Sequence, residues 1–348
     1  MDRLNVLVTA AGSPTWPRMA HCLKNNGERE ITLIGVDMCI DPTILEYLDK
    51  VYKVPGVYEA DYLDCLIDIC KNEEVDILIP GMSQELELIA KRIDDFRKIG
   101  VIVSITNEKS LNVANNKIRL FDYLKSEGLT MPKYTVVDSV KDVVSACYEI
   151  GYPENPVCIK IADGAGSRGV RVIDPNISRF DLFINEKPNC LRSSLNDFVD
   201  MLKEAYNLPK LMVMEYLPGP EYCVDLLADN GKVKYIAGQK TQRLQDSTPI
   251  ESVVEKDDFV YKQSIEIVEK LNLDGNIGLD YRYNKNGFPR ITEINPRITQ
   301  AMSLVEAAGV DLLYLRIKQL IGEELPNLNV KYGTKMRRRY LESFYTDE

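Results

Sequence analysis

The chain has a single histidine, His21, and a single tryptophan among 348 residues. One imidazole cannot form a relay or a histidine-rich metal centre, so chemistry must run on carboxylates, lysines, arginines and bound ions. Cysteines stand at 22, 39, 65, 70, 147, 158, 190 and 223, and no two have C-x-x-C spacing, which removes the zinc-ribbon and dithiol readings. Most sit in apolar stretches such as Val157-Cys158-Ile159, where a reduced thiol behaves as a small hydrophobe. No apolar run approaches the roughly 20 residues of a membrane span. Met1-Asp2-Arg3-Leu4 leads straight into a strand-like run without a signal core, so a cytoplasmic protein with no membrane partner is expected. A net charge of −10 argues against nucleic acid, whose phosphates demand neutralisation. The one basic cluster, Arg337-Arg338-Arg339, reads as a solvated strand edge.

What is present has the texture of a multi-lobed α/β protein, since 348 residues exceed what one compact core usually holds. In residues 1–111, Val6-Leu7-Val8, Ile31-Thr32-Leu33-Ile34, Val75 to Ile79 and Val101-Ile102-Val103 are buried-strand runs. Leu63, Leu66, Ile67 and Cys70 between them keep helical spacing. That alternation predicts a Rossmann-like parallel sheet covered on both faces. The turn after its first strand, Thr9-Ala10-Ala11-Gly12-Ser13-Pro14, lacks the glycines of a dinucleotide fingerprint although Asp37 ends the second strand. Its small residues are expected to serve packing.

From residue 112 the pattern changes. A helix from Asn116 to Glu127 stops at Gly128; strands follow at Tyr134–Val137 and Val157–Ile161, with a helix between them. Residues 174–194 read as an irregular insertion before a helix carrying Leu195, Phe198, Val199 and Leu202. Beyond it the strands become antiparallel. Leu211–Glu215 is followed by a hairpin across Asn230-Gly231 and a second, Ile277–Tyr283 with Arg290–Ile294. Two helices separated by Gly309 close this region, 112–328, with a small lobe at about 130–215 and a central lobe at about 216–328. Residues 329–348 form a C-terminal extension. There is no internal repeat.

The residues that can carry chemistry are oxygen donors and cations. Glu293 and Asn295 are two apart on one strand and so project from one face, and Asp280 lies on the partner strand. Two carboxylates and an amide oxygen suit magnesium. Arg297 adds a fixed positive charge at the same rim. Lys160 ends an apolar strand and opens Asp163-Gly164-Ala165-Gly166-Ser167-Arg168-Gly169, a loop whose backbone N–H groups can wrap phosphate oxygens. It is not a Walker loop, because no G-K-[ST] follows the glycines. Lys117 is a second candidate phosphate ligand. Met214-Glu215-Tyr216-Leu217-Pro218-Gly219, with Glu221 after it, ends a strand at a break where backbone can read a base edge.

In order and spacing, the lysine-led helix, strand–Lys–glycine loop, strand–Glu–turn–Glu and Asp280…Glu293-Ile294-Asn295-Pro296-Arg297 hairpin resemble the ATP-grasp superfamily over residues 112–322. The preceding lobe resembles the domain usually found ahead of the grasp. Within the superfamily the chain looks most like single-grasp proteins related to the carbamoyl-phosphate synthase large subunit. The resemblance implies a two-lobed grasp with antiparallel sheets and ATP held between its lobes. Magnesium would be bound by Asp280, Glu293 and Asn295, as two ions that Mn2+ can replace. It implies that Lys117 and Lys160 contact the phosphates, and that Gly164, Gly166, Ser167 and Gly169 form the flap over them. Glu215 and Leu217 would read adenine, and Glu221 would hold ribose. Arg297, Lys160 and Arg243 would act on the transferred phosphoryl group. Asn116 stands where many relatives place Asp, which bears on helix capping.

The activity so implied is ligation: a small-molecule carboxylate becomes an acyl phosphate and is joined to an amine, releasing ADP and phosphate. A homodimer is compatible with it. The competing readings are a carbamoyl-phosphate-synthase-like phosphorylation subunit, a non-catalytic ATP-binding regulatory module, and a nicotinamide oxidoreductase. Selectivity is expected in the N-terminal lobe, the 174–194 insertion and a loop at 240–256.

Overall fold

The computed structural model describes residues 3–40, 42–162, 169–186, 191–245 and 248–346. It divides into two compact units: residues 1–114, 222–280 and 294–348 form unit 1, and residues 115–221 and 281–293 form unit 2.

Unit 1 begins with β1 (Arg3–Thr9), α1 (Trp16–Lys24), β2 (Glu30–Asp37), β3 (Lys50–Lys53), α2 (Tyr62–Asn72), β4 (Ile77–Ile79), α3 (Ser83–Lys91), α4 (Ile93–Lys98), β5 (Ile102–Val103) and α5 (Glu108–Ala114). The strands form a sheet in the order β3-β2-β1-β4-β5, and every pair is parallel. Three of the four apolar runs become its interior strands β2, β1 and β4, because strands covered on both faces need continuous apolar sequence, and the fourth, β5, is an edge. The edge strand β3 was not anticipated; Lys50-Val51-Tyr52-Lys53 has no fully buried residue to mark it.

Unit 2 contains α6 (Lys117–Ser126), β6 (Tyr134–Val137), α7 (Val140–Ile150), β7 (Val157–Ile161), β8 (Val170–Ile173), α8 (Arg179–Asn185), β9 (Arg192–Ser193), α9 (Leu195–Leu202) and β10 (Leu211–Glu215). Its sheet runs β6-β10-β7-β8-β9. The 174–194 segment is less irregular than its sequence suggests, since it contains α8 and β9. Serine caps three of these helices: Ser139, Ser178 and Ser194 accept from the amides of Asp142, Asp181 and Asp197. Each hydroxyl also donates to the same aspartate's carboxylate, satisfying the first turn in both directions. Asn116 caps α6 in the same way, accepting from Ile118 N at 3.1 Å and Arg119 N at 3.0 Å. Asn is therefore as good a cap here as Asp.

The chain then builds β11 (Glu221–Asp229), β12 (Lys232–Gln245), β13 (Thr248–Val254), α10 (Asp258–Lys270), β14 (Gly275–Tyr283), β15 (Pro289–Asn295), α11 (Met302–Ala307), α12 (Leu312–Leu320) and β16 (Lys335–Arg337). The sheet order is β15-β14-β11-β12-β13-β16. Asn230 and Gly231 turn β11 into β12 with φ of 46° and 83°, the left-handed pair that a tight hairpin requires. The segment 240–256, expected to be a loop, is mostly strand. Polar residues outnumber apolar ones there because β12 outruns the core, and Gln245 still pairs with Thr248. The expected strand edge at Arg337 is β16, paired with β13 through Glu251↔Arg337.

Within unit 1 the two sheets share a core: Leu227 and Ala237 from the antiparallel sheet cluster with Val6, Val8, Ile77 and Ile79 from the parallel one, and with α11 and α12. Cys22, Cys70, Cys147 and Cys158 are buried and Cys39 is exposed. Burial pushes the Cys70 thiol up to about 12, so it is an inert apolar filler. No helix among the described residues is long and apolar enough to cross a membrane.

Arg316 of α12 fixes the start of β14. It is almost fully buried and donates to Asp274 Oδ2 at 2.7 Å, Gln319 Oε1 at 2.7 Å and Ser104 Oγ at 3.2 Å. Arg316→Ala strands the Asp274 carboxylate and should cost about 3–5 kcal/mol, as for breaking a buried ion pair. A urea midpoint within error of the parent would contradict this role.

Candidate functional site

The β14–β15 hairpin carries the oxygen donors. Asp280 and Asn295 meet directly, with Asn295 Nδ2 donating to Asp280 Oδ2 at 2.9 Å. Their strands can close because residue 278 is glycine: a Cβ there would lie 2.2 Å from Thr299 Cγ2 and 3.6 Å from both Asn295 Cβ and Asp225 Oδ1. Arg297 turns back on the same amide, donating from Nη2 to Asn295 Oδ1 at 3.0 Å. Its other donors go to Ile298 O at 2.7 Å and to Ser83 Oγ, at the start of α3, at 2.9 Å. All of these residues belong to unit 1.

Glu293 falls in unit 2, where Lys117 Nζ stands 3.5 Å from its Oε2. Lys160 lies on β7, opposite Met212 on β10 and Val170 on β8. Glu215 ends β10 and donates its N–H to Lys133 O at 2.9 Å, and Leu217 is buried after it. Glu221 is held by Arg282 through Nε at 3.1 Å and also through Nη2. Gly169 has φ +68°, and a Cβ there would lie 2.5 Å from Ile161. Gly164, Gly166 and Ser167 lie outside the described residues. Arg243 is on β12 and pairs with Glu251, Nη2 to Oε1 at 2.8 Å. The structure thus joins it to Glu251 and brings together Asp280, Asn295 and Arg297 in unit 1, and Lys117 with Glu293 in unit 2.

Asp280 and Asn295 present only oxygen acceptors and amide groups, which fits a hard cation. The Asn295 carbonyl has a second lone pair beside the one that Arg297 engages. No cluster of three or more His, Cys, Asp or Glu occurs among the described residues.

One functional neighbour escaped the sequence reading. Asp225, on β11, is buried and accepts from Thr299 Oγ1 at 2.5 Å and from Gln239 Nε2 at 2.6 Å. It ties the segment that follows Arg297 to β12. The available signal was a carboxylate inside the apolar strand Tyr222 to Ala228, which is expensive unless partnered.

Residues 207–344 match the family described as ATP-grasp in the biosynthetic pathway with Ter operon. Residues 6–104 match the PylC-like N-terminal domain. The carbamoyl phosphate synthase large chain of Clostridium acetobutylicum is 21% identical over 309 residues, covering 85% of this chain and 26% of that protein. The chain therefore spans about a quarter of that relative's length. A biotin carboxylase from Campylobacter jejuni, solved with an ATP analogue, superposes with TM-score 0.69 at 17% identity, covering 93% of this chain and 72% of its own. An L-amino acid ligase from Bacillus licheniformis gives 0.65 at 14% identity, over 92% and 75%. At these identities the likeness to solved structures is one of fold.

Burial pushes the Asp225 carboxyl up from 3.8 to about 7, with Asp280 adding to the rise, while the Thr299 and Gln239 bonds oppose it. A raised carboxyl stabilises the fold below its unfolded value and loses that contribution as pH climbs through the folded one. The wild type should therefore lose stability between about pH 4 and 7, with up to ~1.4 kcal/mol per pH unit from this one proton. Glu85, fully buried and raised by desolvation, tilts the curve the same way. The informative quantity is thus the difference between wild type and Asp225→Asn, whose pH slope should be flatter across that window. Parallel stability–pH curves for the two would contradict the assignment.

Proposed function

Because the chain carries an ATP-grasp domain behind a PylC-like N-terminal domain, we propose that it is an ATP- and magnesium-dependent carboxylate–amine ligase. The observation that carries the reading is the Asn295 amide, engaged on one side by the Asp280 carboxylate and on the other by Arg297. A hard-oxygen pair with a fixed cation on the same amide suits a metal-bound phosphate being transferred. Magnesium, held by Asp280, Asn295 and Glu293, would offset phosphate charge and polarise the terminal phosphoryl group.

In this reading Lys117 and Lys160 bind phosphate oxygens, Glu215 and Leu217 read adenine, and Glu221 holds the ribose hydroxyls. The Arg282 bond fixes the rotamer of Glu221 for that task. A substrate carboxylate oxygen attacks the γ-phosphorus, and the bond to the ADP oxygen breaks. Arg297 and Lys160 offset the charge on the transferring group. An amine then attacks the acyl carbon, the phosphate leaves, and the amine proton passes to solvent. Catalysis is by positioning and electrostatics, with no protein nucleophile.

A second reading has one specific support. Proteins named carbamoyl phosphate synthase large chain recur among the relatives by sequence, which favours a phosphorylation subunit acting with a partner enzyme. Product analysis separates the two.

Mg-ATP should stabilise the chain by about 2.7 kcal/mol at 100 times its Kd, through ligand linkage. A melt indifferent to Mg-ATP sinks the proposal. Glu293→Gln keeps the shape and removes the charge, and should lower turnover by roughly 10²–10³ while the apo melting temperature stays put. Activity within a few-fold of wild type would show that Glu293 is not a metal ligand. An ADP-release screen of carboxylates crossed with amines identifies substrates. With an ¹⁸O-labelled carboxylate, one label should reach inorganic phosphate beside ADP. AMP and pyrophosphate as products would overturn the acyl-phosphate route.

A further inference from the structure

The arginine that follows β16 has a setting that the fold does not explain. Arg337 shares the Glu251 carboxylate with Arg243, at 3.2 Å and 2.8 Å. Arg338 continues the ladder, its N–H donating to Ile250 O at 2.8 Å, but its side chain has no carboxylate among the described residues. Nη2 donates to Gln300 O at 2.6 Å, and Nε is buried without a partner among those residues. Burial depresses the half-buried guanidinium below its ordinary value. A cation kept partly out of water with an unmet donor costs stability, and such groups persist where they serve something.

Strand register shows which face Arg338 occupies. Met336 and Thr241 both stand opposite Ser252, and Gln239 stands opposite Val254. Residues two apart on a strand share a face, so Arg338 lies with Met336, Ser252, Thr241 and Gln239. Gln239 binds Asp225, which binds Thr299, two residues beyond Arg297. Gln300, whose carbonyl receives Arg338, follows Thr299 directly. Gln239 Oε1 on that face is also buried without a partner among the described residues. One sheet face therefore runs from the Asp280–Asn295–Arg297 group to an arginine without a counter-ion among the described residues.

We propose that Arg338 binds a carboxylate of the small molecule on which the site acts. The proposal rests on the ligase reading only for that molecule's fate; the charge argument stands without it. A planar guanidinium prefers carboxylate oxygens as partners, and the neighbouring Arg337 has one in Glu251. The Gln300 bond orients the head while leaving its net charge uncompensated.

The test uses the full chain. Thermal melts are recorded with and without Mg-ADP, in the presence of acetate, L-alanine, L-glutamate or citrate. The wild type should gain melting temperature with at least one of these. Arg338→Gln should weaken the apparent carboxylate affinity by roughly 10- to 100-fold, the effect of losing a charge-assisted hydrogen bond, and leave the Mg-ADP increment intact. Arg338→Lys, which keeps the charge and can still reach Gln300, should recover part of the response and serves if the Gln variant folds poorly. Arg339→Gln, at an exposed neighbour, should behave as wild type. A carboxylate increment that survives in Arg338→Gln overturns the proposal, as does a wild type that answers none of the four acids. A carboxylate response lost in Arg338→Gln, without any Mg-ADP response, would uphold the anion site and overturn the ligase reading.

Discussion

The hydrogen bond from Asn295 to Asp280, 2.9 Å long, joins the two strands that carry the oxygen donors, and much of unit 1 is arranged around it. It forms only if β14 and β15 keep one register, because a slip of a single residue would leave the two side chains on opposite faces. Arg316 pins the start of β14 through Asp274. Gly278 leaves room for Thr299, and Asp225 holds Thr299 from below. Arg297 then closes on the far side of the same amide. Each contact removes a freedom that would otherwise have to be lost when a ligand binds.

The grasp hairpin was legible because alternation is a local rule. Glu293, Ile294 and Asn295 declare their faces without reference to anything distant, and Asn230-Gly231 declares its turn. Asp225 was not legible, because its burial depends on Gln239, 14 residues away, and Thr299, 74 residues away. The strand edge expected at Arg337 is β16, but the tail of β12 and the strand β13 beside it were missed for a related reason. Many of their residues are polar, and their pairing with each other makes strands of them. Arg243, for which the family resemblance implied a phosphate contact, pairs with Glu251. The flap that the resemblance implied at 164–169 lies outside the described residues except for Gly169.

The arginines divide by what answers their charge. Arg316 has Asp274, Arg282 has Glu221, and Arg243 and Arg337 share Glu251. These pairs position backbone and side chains, and removing one partner would strand the other. Arg297 donates to an amide, a hydroxyl and a carbonyl, and these three bonds orient its head against the Asn295 side chain. Arg338 repeats that pattern with a single carbonyl. In a chain with ten more acidic than basic charges, Arg338's lack of a carboxylate among the described residues is not explained by a shortage of acids.

The shared core of unit 1 bears on how the N-terminal sheet contributes. Leu227 and Ala237 are buried with β1 and β4 residues, so the two sheets cannot separate without exposing apolar surface from both. The parallel sheet reverses direction of winding between β1 and β4, and in such sheets the carboxyl ends of the strands at that point are where ligands bind. Ser83 stands just past the carboxyl end of β4 and receives Arg297 at 2.9 Å. Arg297, which donates to the Asn295 amide, is therefore tied to the N-terminal sheet. A change in the β4–α3 turn reaches Arg297, and through it the Asn295 amide, by one hydrogen bond to Ser83.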